Sequence, residues 1–451
     1  MPFATEARAN LKLALPLIAA QLAGVGMGAV DTMFAGHLTP KALVAVAIGA
    51  NINVVPFVFF AGLFMAASAI VSKRRGEAAR HEDGLHAANA AASVGAFARG
   101  LLLLAIACGL TWTAGIWLLA PAMIHGLHLA ADTEAVAVGY LRCYGFSGIG
   151  LCLWFCLRYC AEGLSASRPV MWVGLLGFVL NALLNWLLIY GAGPIPALGV
   201  NGSGIATALA CLAMPLAMLL CYARLPSLRL AGLFTTGMEA GAAATALRLG
   251  LPIGTTMLAE AGLFVAVSLL MARLGESVVA AHQVAINVAS IAFMIPLGIA
   301  LATTVRVAFF AGAAQPRLAR RAGWSGMGLG FANALLNAAV MLLGGSLLVR
   351  AYTADAGIAA QATGFLALAA AFQIFDGVQV TASGALRGLH DTRRPMFITL
   401  AAYWLVGMPV AWWLAFGLGL GPNGLWWGLT AGLAAAAFGL AARFSMLKVS
   451  A

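Results

Sequence analysis

Long apolar stretches and short polar segments alternate along the whole chain. Each apolar stretch is about 20 residues or longer, enough for a helix to cross a hydrocarbon core of about 30 Å. The pattern predicts an all-α polytopic membrane protein with twelve transmembrane helices and no room for a soluble domain between them. The predicted helices span roughly 11–35, 43–71, 88–121, 134–160, 168–191, 199–223, 247–272, 279–308, 324–349, 357–386, 396–419 and 424–446.

The composition fits a chain that is surrounded by membrane lipid. Hydrophobic residues make up 63% of the 451 residues and charged residues only 9%, with a mean hydropathy of +0.98. A soluble domain carries roughly 25% charged residues. A chain with so few charges cannot cover itself with polar surface in water, so lipid is its expected environment.

The basic residues predict the orientation of the chain. If both termini face the cytoplasm, 21 of the 25 Lys and Arg lie on the inner side, and the outer side keeps only Lys41, Arg142, Arg273 and Arg350. This asymmetry follows the positive-inside rule and would be lost if one helix were misplaced. The net charge of +11 is thus explained by topology, and no nucleic-acid partner is expected.

The two halves of the chain resemble each other. Matching residues lie 236 positions apart early in each half and 225 to 226 apart later. The matches are Leu15-Pro16 with Leu251-Pro252, Leu38 with Leu274, Asn51 with Asn287, and EGLSASRP at 162–169 with RGLHDTRRP at 387–395. Each half then holds six helices, and the repeat is parallel, as in transporters that bind substrate between two halves. We predict two lobes, residues 1–230 and 231–451.

Three carboxylates, Asp31, Glu260 and Asp376, lie inside apolar stretches with no basic residue nearby in sequence. A charge at the centre of a bilayer costs roughly 2.5 kcal/mol or more, so such residues face a bundle interior or a watery cavity. Counted along their helices, Glu260 and Asp376 both lie about 17 Å from the inner surface. They predict a Na⁺ site or a pair that shares one proton; two separate acids, each hydrogen-bonded inside the bundle, are the alternative.

A second constellation is predicted in the outer half of the first lobe. Asp31, Asn185 and Thr207 lie within about eight residues of the outer ends of their helices, and Asn181 lies on the same helical face as Asn185, four residues before it. One acid, two amides and a hydroxyl are able to bind or relay a proton or Na⁺. For the asparagines alone, hydrogen bonds between helices are the simpler interpretation. Pro16 removes a backbone hydrogen bond within the first helix and predicts a kink there, either static or coupled to protonation of Asp31.

Four motifs carry a family resemblance over nearly the whole chain. VDTMFAGHL at 30–38, AAHQVAIN at 280–287, PLGIALATTVRV at 296–307 and GALRGLHDTRRP at 384–395 resemble the multidrug and toxic compound extrusion (MATE) family, most closely its norfloxacin-exporter branch. The resemblance implies a V-shaped fold of two six-helix lobes in the inner membrane of a bacterium. It also implies a monomer that exports small amphipathic cationic drugs or metabolites in exchange for Na⁺ or H⁺, with no cofactor.

The resemblance also assigns residues to roles. It maps cation coupling in the second lobe onto Glu260 and Asp376, and in the first lobe onto Asp31, Asn181 and Asn185, with Thr207 as a looser match. Phe372, one turn before Asp376, stands where the branch has a tyrosine. Its ring keeps a π face for a cation but lacks the hydroxyl. The resemblance favours a kink at Pro16 that moves with Asp31.

Other functions remain open or are excluded by the sequence. A flippase for a lipid-linked precursor is the main alternative, although it needs several basic residues in its cavity, and only Arg142 is a candidate. No GxxxxGKS loop is present, so ATP is not expected to drive the protein directly. Paired Asp motifs of a membrane transferase are also missing, so the protein is not expected to be an enzyme. Trp412, Trp413, Trp426 and Trp427 predict an aromatic belt at the outer interface.

Overall fold

The computed structural model describes residues 3–80, 84–229, 232–234 and 237–447. In this part of the chain, twelve helical spans are long and apolar enough to cross a membrane, which confirms the predicted fold class. In chain order the helices are α1 (Phe3–Gly36), α2 (Pro40–Ala78), α3 (Gly84–His125), α4 (Ala131–Gly145), α5 (Ser147–Gly163), α6 (Ser167–Tyr190), α7 (Gly199–Arg224), the single turn α8 (Pro226–Arg229), α9 (Ala242–Ala272), α10 (Glu276–Gly312), α11 (Pro316–Arg350), α12 (Ala356–Gly388), α13 (Arg393–Leu400), α14 (Met408–Trp412) and α15 (Pro422–Met446).

Two of the predicted spans are less regular than their apolar pattern indicates. The fourth span is divided at Phe146 into α4 and α5. The eleventh span consists of α13 and α14 with two π-helical segments, Ala401–Gly407 and Trp413–Gly417. Pro409 follows the first of these segments. Proline lacks the backbone N–H and its ring clashes with the carbonyl of residue i−4, here Leu405, so the widened turns lie where the α-helical hydrogen bonds are interrupted.

The helices pack into two compact units. The carboxyl-terminal unit contains the described residues up to Ile18 together with those from Thr255 onward, and the amino-terminal unit runs from Ala19 to Gly254. In the carboxyl-terminal unit, α12 lies between α10, α11 and α15. The predicted lobe boundary at 230/231 lies outside the described residues, and the division into lobes 1–230 and 231–451 stays a prediction.

Helices α1 and α9 each belong to both units. Each passes from one unit to the other two residues after a proline, at Pro16 in α1 and at Pro252 in α9. Glycines allow close packing of the first segments of α1 and α9, which end at these crossing points. A Cβ on Gly298 of α10 would lie 2.4 Å from Ile18, and a Cβ on Gly254 of α9 would lie 2.6 Å from the Phe59 carbonyl oxygen of α2. The two prolines of the sequence repeat therefore mark equivalent places in the fold.

An ion pair holds the beginning of each shared helix. In the carboxyl-terminal unit, Arg306 Nε of α10 donates to Glu6 Oε1 of α1 at 2.6 Å, and the Glu6 side chain is 1% exposed. In the amino-terminal unit, Arg74 of α2 binds Glu239, just before α9, through two hydrogen bonds of 2.6 and 2.8 Å. In each unit, a glutamate–arginine ion pair therefore fixes the first segment of one shared helix.

The predicted orientation leads to a labelling result. We expect a cysteine at Ala4 to react with a membrane-impermeant maleimide only after permeabilisation, because the positive-inside rule places the first turn of α1 in the cytoplasm. Cysteines at Leu127 and Leu420, which are 51% and 48% exposed, should react in intact cells. The unmodified protein, with its seven free cysteines, gives the background. Labelling at position 4 from outside would contradict cytoplasmic termini.

Candidate functional site

In the amino-terminal unit, the structure brings together the four predicted polar side chains. Asp31 comes from the last turns of α1, Asn181 and Asn185 from one face of α6, and Thr207 from the third turn of α7. The two asparagines are fully buried, and Asp31 and Thr207 are each 4% exposed. The i, i+4 spacing of the asparagines puts both amides on the side of α6 that faces the carboxylate.

Asp31 accepts hydrogen bonds from all three partners. Asn181 and Asn185 donate their amides to Oδ1 at 3.1 and 2.8 Å, and the Thr207 hydroxyl donates to Oδ2 at 2.8 Å. The Thr207 hydroxyl also lies 3.1 Å from the Ser203 carbonyl oxygen, which is a second acceptor for it. The side-chain oxygens of both asparagines are buried and have no hydrogen-bond partner among the described residues.

This arrangement suits an ionised carboxylate, which only accepts hydrogen bonds. When such a carboxylate binds a proton, one oxygen becomes a donor, and the group that faced it must rearrange. Thr207 is able to do so, because its hydroxyl hydrogen has the Ser203 carbonyl as an alternative. Its oxygen accepts from the Asn181 amide at 3.0 Å and has a second lone pair that is able to accept from Asp31. Oδ2 is therefore the oxygen at which a proton disturbs the fewest hydrogen bonds.

In the carboxyl-terminal unit, Glu260 of α9 and Asp376 of α12 lie close enough to interact electrostatically. Asp376 is 3% exposed, and its Oδ1 has no hydrogen-bond partner among the described residues. The hydroxyl of Tyr403, in the first π-helical segment, faces the Glu260 carboxyl. The structure thus brings the two predicted acids together, as their equal depth along two helices implied. Tyr403 was not predicted from the sequence.

An aromatic cluster lies beside this pair. Phe372, one turn before Asp376, packs edge-on against Phe264 and Trp426, with ring centroids 5.8 and 6.0 Å apart. Trp426 is fully buried and also contacts His282 of α10. The prediction that Trp426 belongs to an interfacial aromatic belt is therefore wrong. The other three tryptophans of that prediction are exposed: Trp412, Trp413 and Trp427.

Three membrane-embedded acids form no ion pair among the described residues, whereas six other acids of the chain lie beside a basic side chain. Glu6, Glu162, Glu239, Asp391, Asp132 and Glu134 pair with Arg306, Arg158, Arg74, Arg443, Lys41 and His125, respectively. Within the described residues, Asp31, Glu260 and Asp376 form no ion pair of this kind. Their neighbours are amides, hydroxyls and, for Glu260 and Asp376, each other.

The functional roles of these residues, including Phe372, stay predictions, and so does the kink at Pro16. Pro16 lies inside the continuous helix α1, 15 residues before Asp31. The described residues contain no group of three or more His, Cys, Asp or Glu side chains that would hold a metal ion. The Na⁺ site made of Glu260 and Asp376 has two such side chains and stays a prediction.

One known protein family matches both halves of the chain. The sequence model of the MatE family matches residues 16–187 and 252–413. The two matches begin at Pro16 and Pro252, and 252 minus 16 is 236, the offset of the sequence repeat. Their ends, 187 and 413, are 226 apart, which agrees with the smaller offset later in each half.

Relatives and solved structures agree with this match. The chain is 38% identical over 444 residues to a probable multidrug resistance protein NorM of Xanthomonas campestris, covering 98% of this chain and 94% of the relative. It is 39% identical to a protein of the same description from Pseudomonas aeruginosa, covering 98% and 90%. The structure resembles an outward-facing multidrug resistance MATE family transporter with a TM-score of 0.86 and 19% identity, covering 98% of this chain and 96% of that one. It also resembles the eukaryotic transporter AtDTX14, with a TM-score of 0.85 and 21% identity, covering 99% and 97%.

Proposed function

The chain belongs to the MatE family of multidrug efflux transporters, and we propose that it is a secondary antiporter that exports small amphipathic cations while Na⁺ or H⁺ enters. One observation carries the proposal. Asp31, Glu260 and Asp376 are embedded in the membrane-spanning helices without an ion pair among the described residues, whereas five other acids of the chain pair with Arg or Lys. Acids left unpaired at this depth are typical of ion and proton pathways.

The amino-terminal unit offers the chemistry of a proton relay. A proton that arrives at Asp31 Oδ2 replaces an acceptor with a donor, so the Thr207 hydroxyl turns to the Ser203 carbonyl and accepts from Asp31 instead. The hydrogen bonds between α1 and α7 then change direction without leaving a buried group unsatisfied. The unpartnered amide oxygens of Asn181 and Asn185 support Na⁺ as an alternative, because hard cations prefer oxygen ligands.

The carboxyl-terminal unit offers a site for a second cation. Two carboxylates that face each other away from water repel when both are ionised, and a proton or a Na⁺ between them removes the repulsion. The ion that occupies this place compensates a negative charge that no described basic residue balances. Export of a cationic drug and entry of a coupling ion then compete for the same buried negative charge, which is the basis of exchange.

Ethidium efflux from membrane vesicles tests the proposal. We expect efflux when a Na⁺ gradient or a H⁺ gradient is imposed alone, and the effective gradient identifies the coupling ion. ATP should have no effect, because the sequence has no phosphate-binding loop. Vesicles without the protein are the control. Efflux that is the same with and without both gradients would rule out secondary antiport.

A further inference from the structure

The site in the carboxyl-terminal unit contains an oxygen that the sequence did not reveal. Tyr403 is fully buried, and its hydroxyl faces the Glu260 carboxyl. The hydroxyl forms no other hydrogen bond among the described residues, and Asp376 Oδ1 lacks a partner as well. A buried phenol hydroxyl normally finds a complete set of partners. A buried hydroxyl whose one partner is a carboxylate, beside a second carboxylate with an unpartnered oxygen, therefore indicates a place for a ligand.

The local backbone holds Tyr403 in this position. The residue lies in the π-helical segment Ala401–Gly407, and such segments often occur at functional sites. The helix cannot easily rotate there, because it packs closely against α15. Cβ atoms on Gly407 and Gly428 would lie 3.0 Å from the Gly432 Cα and 2.2 Å from the Ala411 Cα, respectively. The widened turn and the glycine contacts together fix the direction of the hydroxyl.

Phe372 does not supply an equivalent group. It lies one turn before Asp376, but phenylalanine has no oxygen, and its ring packs against Phe264 and Trp426. Gln379, one turn after Asp376, has its Oε1 buried without a hydrogen-bond partner among the described residues. Tyr403 does carry a hydroxyl, and that hydroxyl contacts the Glu260 carboxyl.

We propose that Tyr403 is a specificity-determining residue of the cation site, where its hydroxyl oxygen joins the carboxylates of Glu260 and Asp376 as the third ligand of Na⁺. This inference rests on the proposed function, since it concerns the ion that drives export. The Tyr403 hydroxyl donates to the Glu260 carboxylate. When Na⁺ binds, the O–H turns away and the oxygen lone pairs face the ion.

The hydroxyl should matter for Na⁺ and not for a proton. A hard cation needs several oxygen ligands at once, and a neutral phenol oxygen adds one without adding charge repulsion. A proton needs only one carboxylate oxygen, which Glu260 and Asp376 provide without Tyr403. Loss of the hydroxyl is therefore expected to weaken Na⁺ binding while proton binding persists.

Direct Na⁺ binding to the purified full-length protein tests this inference without a transport assay. Tyr403→Phe should raise the Na⁺ dissociation constant, measured by calorimetry, on the order of 10-fold, the usual effect of one lost interaction with a charged group. Tyr222→Phe is the matched control, since Tyr222 is 1% exposed and its hydroxyl donates to the Leu157 carbonyl in the other unit. Its Na⁺ affinity should be unchanged. Ethidium binding without Na⁺ verifies that each variant is folded.

Two outcomes would overturn the inference, and both differ from failure of the proposed function. If the unmodified protein does not bind Na⁺, Tyr403 is not a Na⁺ ligand, although antiport driven by H⁺ would still stand. If it binds Na⁺ and folded Tyr403→Phe binds equally well, the hydroxyl has no part in the site. Antiport itself fails only if neither gradient drives efflux in vesicles.

Discussion

Asp31→Asn is expected to abolish gradient-driven export and to leave a folded protein that still binds drugs. Asparagine keeps an oxygen to accept the amides of Asn181 and Asn185. Its NH₂ group takes the place of Oδ2 and donates to the Thr207 hydroxyl, which then turns to the Ser203 carbonyl 3.1 Å away. The variant thus resembles protonated Asp31 permanently, and a relay that is unable to release its proton cannot complete a cycle.

Export by Asp31→Asn should fall on the order of 100-fold, to the level of vesicles without the protein, whereas ethidium binding and elution in mild detergent remain normal. Asp132→Asn is the matched control. It makes the same chemical change at an exposed acid of the same unit, which pairs with Lys41, and export should persist. Normal export by well-folded Asp31→Asn would remove Asp31 from coupling. Aggregation of the variant would instead assign the residue a structural role.

Glu260→Gln and Asp376→Asn are each expected to reduce export on the order of 10- to 100-fold. The double variant should be little worse than either single one. Both carboxylates face one place in the carboxyl-terminal unit, and groups that act as a unit give losses that do not add in free energy. Initial rates of ethidium efflux for the four proteins form a complete double-mutant cycle.

The control for this cycle is Asp355→Asn on the same helix as Asp376. Asp355 caps α12 by accepting from the Ile358 N–H at 2.9 Å, and asparagine caps a helix about equally well. Export by this variant should be unchanged. If the losses for Glu260 and Asp376 multiply, the two acids act at separate sites and the shared cation site is wrong.

Helix geometry explains what the sequence predicted well. A helix rises 1.5 Å per residue, so an acid's distance from the end of its span gives its depth. That argument was enough to expect Glu260 beside Asp376, and Asp31 near Asn181, Asn185 and Thr207. The repeat followed from proline, glycine and asparagine at a fixed offset, because these residues are not interchangeable with the surrounding apolar ones.

The features that were missed depend on contacts between helices. Tyr403 is one tyrosine in an apolar span, and only the packing of that span against α9 brings its hydroxyl to Glu260. Trp426 lies near the end of its span, as belt residues do, but faces inward onto Phe372 and His282. The sharing of α1 and α9 between units also left no sequence signal, because a helix that is apolar on all sides does not indicate which neighbour it contacts.

Because α1 belongs to both units, the order in which the chain is synthesised limits the order in which the protein is able to assemble. Glu6 leaves the ribosome 300 residues before its partner Arg306. At about 5 to 20 residues per second, the first segment of α1 waits roughly 15 to 60 seconds for the helix on which it packs. The carboxyl-terminal unit closes around both ends of the chain, so its completion has to await nearly full synthesis. The two halves of the chain therefore cannot fold one after the other as finished units. If they were translated separately, the carboxyl-terminal half would lack the first segment of α1, and the amino-terminal half would lack the first segment of α9.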